Sequence, residues 1–342
     1  MIKEGKAVLD IKTEKIVSKQ MGVFYNPVMK FNRDISVLLL NCVDKRNLQI
    51  GLPLAGSGIR GVRFLLELRK NKIKSISFND YNRKAANFIK KNLKLNKIKL
   101  NNKIIVENKD ANLFLLESHG FDYIDVDAFG SPNPYIDSAV RRLSRDGILA
   151  VTATDTAALT GTYTNVCKRK YWAMPLRNGL MHEVGLRILI RKIQLIGSQY
   201  EKALIPIFSY FKDHYFRIFL RCEKSKKKVD EVIRQYGMFD SAGPLWLGEL
   251  WDKKLVNLIE KKNDGEENKK ILRLIKGESK IDVVGFYDIS KLAKKYKIKV
   301  LPKQEDLIKR IKKKGFKVSE THFRENSVRS DIGLKELLRI IQ

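Results

Sequence analysis

The chain is poor in cysteine, in long apolar runs and in acidic residues. Only three of its 342 residues are cysteine, and Cys42, Cys167 and Cys222 lie far apart without the paired spacing of a metal site. That argues against a disulfide framework and a structural zinc, and a reduced, cytoplasmic setting is expected. No stretch approaches the roughly 18–20 apolar residues of a membrane span. The opening MIKEGKAVLDIKTEK also lacks the apolar segment of a secretory signal, so no membrane partner is expected. Acidic residues number 38 against 68 Lys and Arg, a net charge of +30. Ion-pair enrichment would raise glutamate together with lysine, which has not happened here. A polyanionic partner follows, nucleic acid before any acidic membrane. Residues 226–342 hold 29 basic and 18 acidic residues, a net of +11, and residues 1–225 hold 39 and 20, a net of +19. The excess is not one tail, so both parts are expected to face the polyanion.

The length suits two domains, and a hydrophobic content of 44% supports a core. There is no internal repeat. After a polar lead-in, a helix is expected from about Asp34. NLQIGLPLA then reads as a buried strand, and GSGIRGVRFLLELRK as a glycine-rich turn entering a helix. Strands in IKSISFND, NKIIVENKD, FDYIDVD and GILAVTAT alternate with helical segments. KALIPIFSYFKDHYFRIFLRC reads as two strands around a turn at Lys212–Asp213. This alternation predicts an α/β fold, a parallel sheet with helices on both faces closed by an antiparallel hairpin. The expected division is a domain over 1–225, a charged linker over 226–245 and a basic domain over 246–342. The last has a helix, helix, strand pattern that fits either a winged helix-turn-helix or a small α/β domain with solvated lysines.

GSGIRG sets Gly56, Gly58 and Gly61 at G-x-G-x-x-G spacing after a strand and into a helix, as a turn that lets backbone approach a ligand would require. Asp80 ends the next strand, where a carboxylate accepts both ribose hydroxyls of an adenosine-type cofactor or caps the following helix. Asp110–Ala111, after the third strand, offers an acceptor and a backbone donor for an adenine edge, or again a helix cap. A dinucleotide carries a pyrophosphate, whereas S-adenosylmethionine carries an amino acid whose carboxylate needs a cation. Arg33 and Arg63 are the candidates.

The stretch FDYIDVDAFGSPNPY puts Asp127 at the end of a buried strand and Phe129 two residues on. Amino-methyltransferases place a D/N-P-P-aromatic turn at this point. An exocyclic amine is a poor nucleophile, because its lone pair is delocalised into the ring, and acceptors on its N–H groups favour the attacking form. A carboxylate matches guanine, whose N1–H and 2-amino group are adjacent donors. Asp127 would orient that amine and take up its proton. The plainer alternative is an aspartate capping the turn through Gly130 and Ser131.

With these residues in view, the chain resembles the tRNA guanine-26 N2-dimethyltransferases of archaea and eukaryotes. VFYNPVMKFNRDIS, AGSGIRGVR, NDYNRKAANFIKKNLKLN, NKDAN, DVDAFGSP, TATDTAALTG, YWAMPLR, KDHYFRIF, GPLWLGEL and THF carry the resemblance in order from residue 23 to 323. It implies a class I, Rossmann-like methyltransferase sheet with helices on both faces, using S-adenosylmethionine, and a smaller α+β winged-helix-like C-terminal domain that helps hold tRNA. No obligate protein partner is implied. By resemblance Arg33, Arg63, Asp80, Asp110 and Ala111, with Gly56 and Gly58, match cofactor-binding positions. Asp127 matches the catalytic carboxylate, and Phe24 and Phe129 match aromatics that sandwich the target base. The family usually has proline where Ala128 stands, so a looser turn is expected. It commonly has an acidic residue near Gly51, which bears on cofactor affinity. Some relatives carry a mid-chain cysteine cluster that is missing here. Three rivals remain: an adenine amino-methyltransferase, a non-catalytic RNA-binding relative, and a nicotinamide-dependent oxidoreductase. The last explains neither Asp127–Pro132 nor the charge.

Overall fold

A computed structural model describes residues 1–10 and 25–341 of the chain. Its main sheet has seven strands. In spatial order they are Ile104–Glu107, Ile73–Asn79, Leu48–Leu52, Phe121–Asp127, Leu143–Ala153, Tyr215–Lys224 and Lys202–Lys212. The first five pair in parallel. The last two form the anticipated hairpin, turning at Asp213–His214 with Asp213 at a φ of 52°. The first strand in sequence lies between the second and the fourth. The winding direction therefore reverses between Leu48–Leu52 and Phe121–Asp127, and ligands of such sheets lie beyond the carboxyl ends at that reversal.

Local chemistry explains the elements around the reversal. Phe121–Asp127 is buried along nearly its whole length although three of its seven residues are aspartate, so its carboxylates need partners inside the fold. Pro53 has no N–H for the ladder, and the strand before it stops at Leu52. The glycine turn then delivers the helix Ile59–Glu67. The helix expected from Asp34 begins earlier, at Lys30, behind a 3-10 turn over Pro27–Met29. Asn26 caps that turn, its side chain accepting from Val28 N–H at 3.0 Å, and Pro27 occupies the first turn, where a missing donor costs nothing.

The chain divides into two compact units, each assembled from several segments. One comprises 1–155, 193–205 and 217–233, the other 156–192, 206–216 and 234–342. Residues 226–245, expected as a linker, carry the helix Lys226–Ile233 and an antiparallel pair, Tyr236–Phe239 with Ala242–Trp246.

In the second unit the helices Ile289–Lys295 and Gln304–Lys313 lie between the first and second strands in sequence of an antiparallel sheet ordered Tyr287–Asp288, Ser327–Ser330, Val318–Glu320, and the helix Leu334–Ile341 closes it. Ile289, Leu307, Ile311, Val328 and Leu337 form the core between them. The same unit buries ions. Arg329 donates to Glu183 at 2.7 Å and to Glu278 at 3.2 Å, and Arg187 donates to Glu183 at 2.9 Å. Glu278 also accepts from Thr321 at 2.6 Å and pairs with His322. Arg329 and Arg187 hold Glu183 ionised against its burial, with its pKa lowered to about 2.

Candidate active site

Asp127 is the last residue of its strand, and its side chain is 27% exposed. Strand alternation puts Asp125 and Tyr123 on the same face one and two repeats back. Both are fully engaged. Arg217, which is completely buried, grips Asp125 through two parallel hydrogen bonds of 2.8 and 2.7 Å. Tyr123 donates its hydroxyl to Asp125 Oδ2 at 2.5 Å. Asp125 therefore serves as an internal counter-ion, and Asp127 is the carboxylate that reaches the surface.

Arg60, in the first turn of the helix after the glycine loop, links the two carboxylates. Its Nη2 donates to Asp127 Oδ2 at 2.5 Å and its Nε lies 3.5 Å from Asp125 Oδ2. Ser36 Oγ accepts from Arg60 Nη1 at 2.8 Å, and Asn32 Oδ1 from Nη2 at 2.9 Å, which fixes the guanidinium. Thr152 Oγ1 accepts from Asn32 at 3.2 Å and from Arg217 at 2.9 Å. With both lone pairs taken, its own hydrogen turns to Asp127. Burial opposes ionisation of Asp127, but Arg60, Arg217 and Thr152 outweigh it and hold the carboxyl below the ordinary range.

The turn after Asp127 is tied down on both sides. Gly130 N–H donates to Thr154 Oγ1 at 2.7 Å, and Thr154 N–H donates to Gly130 O at 3.0 Å. Gly130 has a φ of 96°, and a Cβ there would meet nothing within 4 Å, so this side is open. Ala128 is buried and Phe129 is 50% exposed. The missing proline is thus offset by two hydrogen bonds to the next strand's end. Phe24 lies outside the described residues.

At the cofactor end, Gly56 and Gly58 have φ of 54° and 77°, the left-handed region that favours glycine. A Cβ on Gly61 would sit 2.1 Å from the Phe78 ring, so the third glycine allows the helix to approach the sheet. Asp80 accepts from Gly56 N–H at 2.8 Å and Asn82 N–H at 2.9 Å, one on each oxygen. Burial raises its pKa, and these two amides only partly offset that. Among the described residues no lysine or arginine pairs with it. A half-desolvated carboxylate with acceptor capacity on both oxygens suits a diol. Asp110 caps the helix Ala111–Glu117, its Oδ1 accepting from Asn112 and Leu113 at 2.9 and 3.2 Å. Ala111 is buried beneath that cap.

Arg33 and Arg63 come together but are not bare. Arg33 donates to Glu4 at 2.7 and 2.5 Å, and Arg63 donates to Glu4 at 3.0 Å, Asp34 at 2.6 Å and Glu67 at 2.8 Å. Glu4, from the hairpin Ile2–Glu4 with Ala7–Leu9, is the shared counter-ion. Sequence reasoning missed Glu4, Arg60, Asp125, Thr152 and Arg217. Arg60 and Arg217 lie inside GSGIRG and KDHYFRIF. Asp125 shares a strand face with Asp127, so the period of two was a usable signal. Glu4 carries no such signal.

The strand order, the glycine turn and the carboxylate ending the neighbouring strand are those of the class I methyltransferase fold. The family described as TRM, N2,N2-dimethylguanosine tRNA methyltransferase, matches over residues 5–240 and 236–342. The chain belongs to this family. It is 40% identical to the tRNA (guanine(26)-N(2)/guanine(27)-N(2))-dimethyltransferase of Aquifex aeolicus, the match covering 99% of this chain and 95% of that one. It is also 40% identical to the tRNA (guanine(26)-N(2))-dimethyltransferase of Methanocaldococcus jannaschii, over 100% of this chain and 98% of the relative. Among solved structures, Trm1 from Pyrococcus horikoshii in complex with S-adenosyl-L-methionine superposes with a TM-score of 0.90 at 34% identity, covering 100% of this chain and 99% of that one.

Proposed function

We propose that Asp127 is the catalytic carboxylate in the reaction of this family, S-adenosylmethionine-dependent mono- and dimethylation of the 2-amino group of guanine 26 in tRNA. The observation that carries this role is Asp127 itself, ending the strand at the winding reversal, partly exposed and fixed by Arg60. Held ionised, it accepts hydrogen bonds from guanine N1–H and the 2-amino group together. Such a carboxylate is a weak base, so its first task is orientation of the amine. As the N–C bond forms, the S–CH3 bond of the sulfonium breaks to leave a neutral thioether, and the proton of the now cationic, strongly acidic nitrogen passes to Asp127 and on to solvent.

The target base has to leave its stack to reach this point. Phe129 supplies one stacking face, and by resemblance Phe24 supplies the other. The open space at Gly130 leaves room for a first methyl group during the second transfer. When bound, S-adenosylmethionine supplies the methyl group as an electrophile on its sulfonium. Asp80 would hold its ribose hydroxyls, Asp110 and Ala111 its adenine edge, and Arg33 with Arg63 its carboxylate. Gly56 and Gly58 let the backbone approach it.

The test is incubation of the chain with unmodified tRNA and labelled S-adenosylmethionine, followed by nucleoside mapping. Dimethylguanosine at position 26 is the expected product. Asp127→Ala is expected to abolish transfer while tRNA binding persists. Normal transfer by that variant overturns the assignment of Asp127.

A further inference from the structure

YWAMPLR contains a residue that the chemistry above leaves unused. Trp172 follows the helix Thr164–Tyr171 and caps it in the left-handed region, with φ 55° and ψ 40°. Glycine or asparagine usually occupies that position, and a bulky side chain there is an outlier. Tyr171 and Ala173 on either side are buried, yet Trp172 is 52% exposed. Core packing does not account for a half-exposed indole at a strained backbone position, and residues kept in that state cluster at sites of function.

The indole is also held in place. Its backbone N–H donates to Lys168 O at 3.1 Å, and its carbonyl accepts from Arg191 Nη1 at 3.3 Å. Two residues on, Met174 and Gly243 exchange backbone hydrogen bonds of 2.7 and 2.8 Å. The ammonium of Lys192 lies 2.9 Å from the centroid of the ring, so a cation covers one face. Burial and Arg191 bring the Lys192 pKa down to about 8, which leaves it mostly charged at neutral pH. Lys168, Arg169 and Lys170, exposed in the last turn of the helix, form a positive rim beside it.

We propose that Trp172 is a stacking platform for an unpaired base of the bound tRNA, with Lys168, Arg169 and Lys170 taking the adjoining phosphates. A flat aromatic on a basic rim is what single-stranded nucleic acid binds without hydrogen-bond readout. The occupant is RNA rather than protein because of that rim, the net charge of +30 and the tRNA substrate of the family. The platform is separate from the stacking proposed at Phe129 and does not depend on the role of Asp127.

The tryptophans make the test direct. Trp246 and Trp251 are 3% and 5% exposed, so Trp172 is the accessible emitter. Unmodified tRNA transcript added to the full chain is expected to quench its fluorescence, and Trp172→Phe is expected to remove that quenching while retaining most of the affinity. Trp172→Gly suits the left-handed backbone, so its melting temperature is expected to hold or rise. Its Kd for tRNA is expected to rise about 5- to 150-fold. Binding of S-adenosylmethionine, followed by calorimetry, is expected to stay unchanged. Opposite changes in stability and RNA affinity exclude a merely structural role. Wild-type tRNA affinity in Trp172→Gly overturns the proposal, as does a change in self-association with tRNA binding intact.

Discussion

Arg60 Nη2 sits 2.5 Å from Asp127 Oδ2, and the same guanidinium reaches Asp125. One buried cation thus serves an internal counter-ion and the partly exposed carboxylate proposed to meet the substrate. Arg60 is a positioning residue in this scheme. Arg60→Lys keeps the charge but loses the fork, and is expected to lower kcat about 10- to 100-fold with little change in affinity for S-adenosylmethionine. The pH profile separates positioning from general damage. In the wild type the carboxyl is held below its ordinary value, so the ionised form persists as pH falls through the neutral range. With the fork lost and the ion pair weakened, burial weighs more heavily against Arg217 and Thr152, and the acid limb of kcat moves to higher pH. An unmoved limb in an active, folded variant contradicts the electrostatic role.

Thr154 accepts from Gly130 and returns a hydrogen bond through its own backbone. Thr154→Val removes only the side-chain acceptor. The turn carrying Phe129 should loosen, with kcat falling about tenfold and the melting temperature changing by only about 2–4 °C. Paired steady-state kinetics and thermal melts check this. A large loss of stability with unchanged kcat would show that the bond serves folding alone.

Gly51, where the family commonly carries an acid nearby, is filled from the other side. A Cβ there would lie 2.7 Å from the Phe121 ring. Gly51→Ala is therefore expected to cost about 1–3 kcal/mol by overpacking. Phe121→Leu should relieve part of it, so the double variant is more stable than the sum of the singles predicts. Chemical denaturation of the four proteins measures the coupling.

Glu183, Arg329 and Glu278 predict where acid acts on the second unit. The folded pKa of Glu183 is lowered to about 2 from an ordinary 4.5. Its stabilisation is full above about pH 4.5 and is lost as pH falls from there toward 2. Arg329→Met leaves two buried carboxylates without their shared cation and is expected to cost about 3–5 kcal/mol. Denaturant titrations at pH 7 and pH 3 should show the variant's deficit shrinking at the lower pH.

The parallel sheet was legible because Pro53, Asp80 and Asp127 mark the ends of three strands and the helices between them have their own period. The positions of Asp127, Asp80 and the glycine turn at or just after strand ends were legible for the same reason. The ion lattice beneath was not. Arg217 sits 92 residues from Asp125, and no local pattern predicts that pairing. The surroundings of Arg33 and Arg63 escaped likewise, because Glu4 comes from a three-residue strand that periodicity cannot detect. The helix Glu266–Glu278 went unread because Gly265 offers no side-chain cap and the segment is densely charged. Asp110 shows the limit of reading single residues, for one oxygen caps a helix without excluding a ligand at the other.

The segmented division of the chain bears on its biosynthesis. The unit that contains Asp127 draws on residues 193–205 and 217–233, while 156–192 belong to the other. A ribosome makes the glycine turn and the strand ending at Asp127 early, but the hairpin strand that supplies Arg217 much later. Until that strand emerges, Asp125 has no bidentate partner and the carboxylate face of its strand is short of positive charge. The nascent chain therefore waits with an unfinished sheet edge, a stage at which chaperone contact is most useful and at which truncation at residue 155 is expected to give insoluble protein.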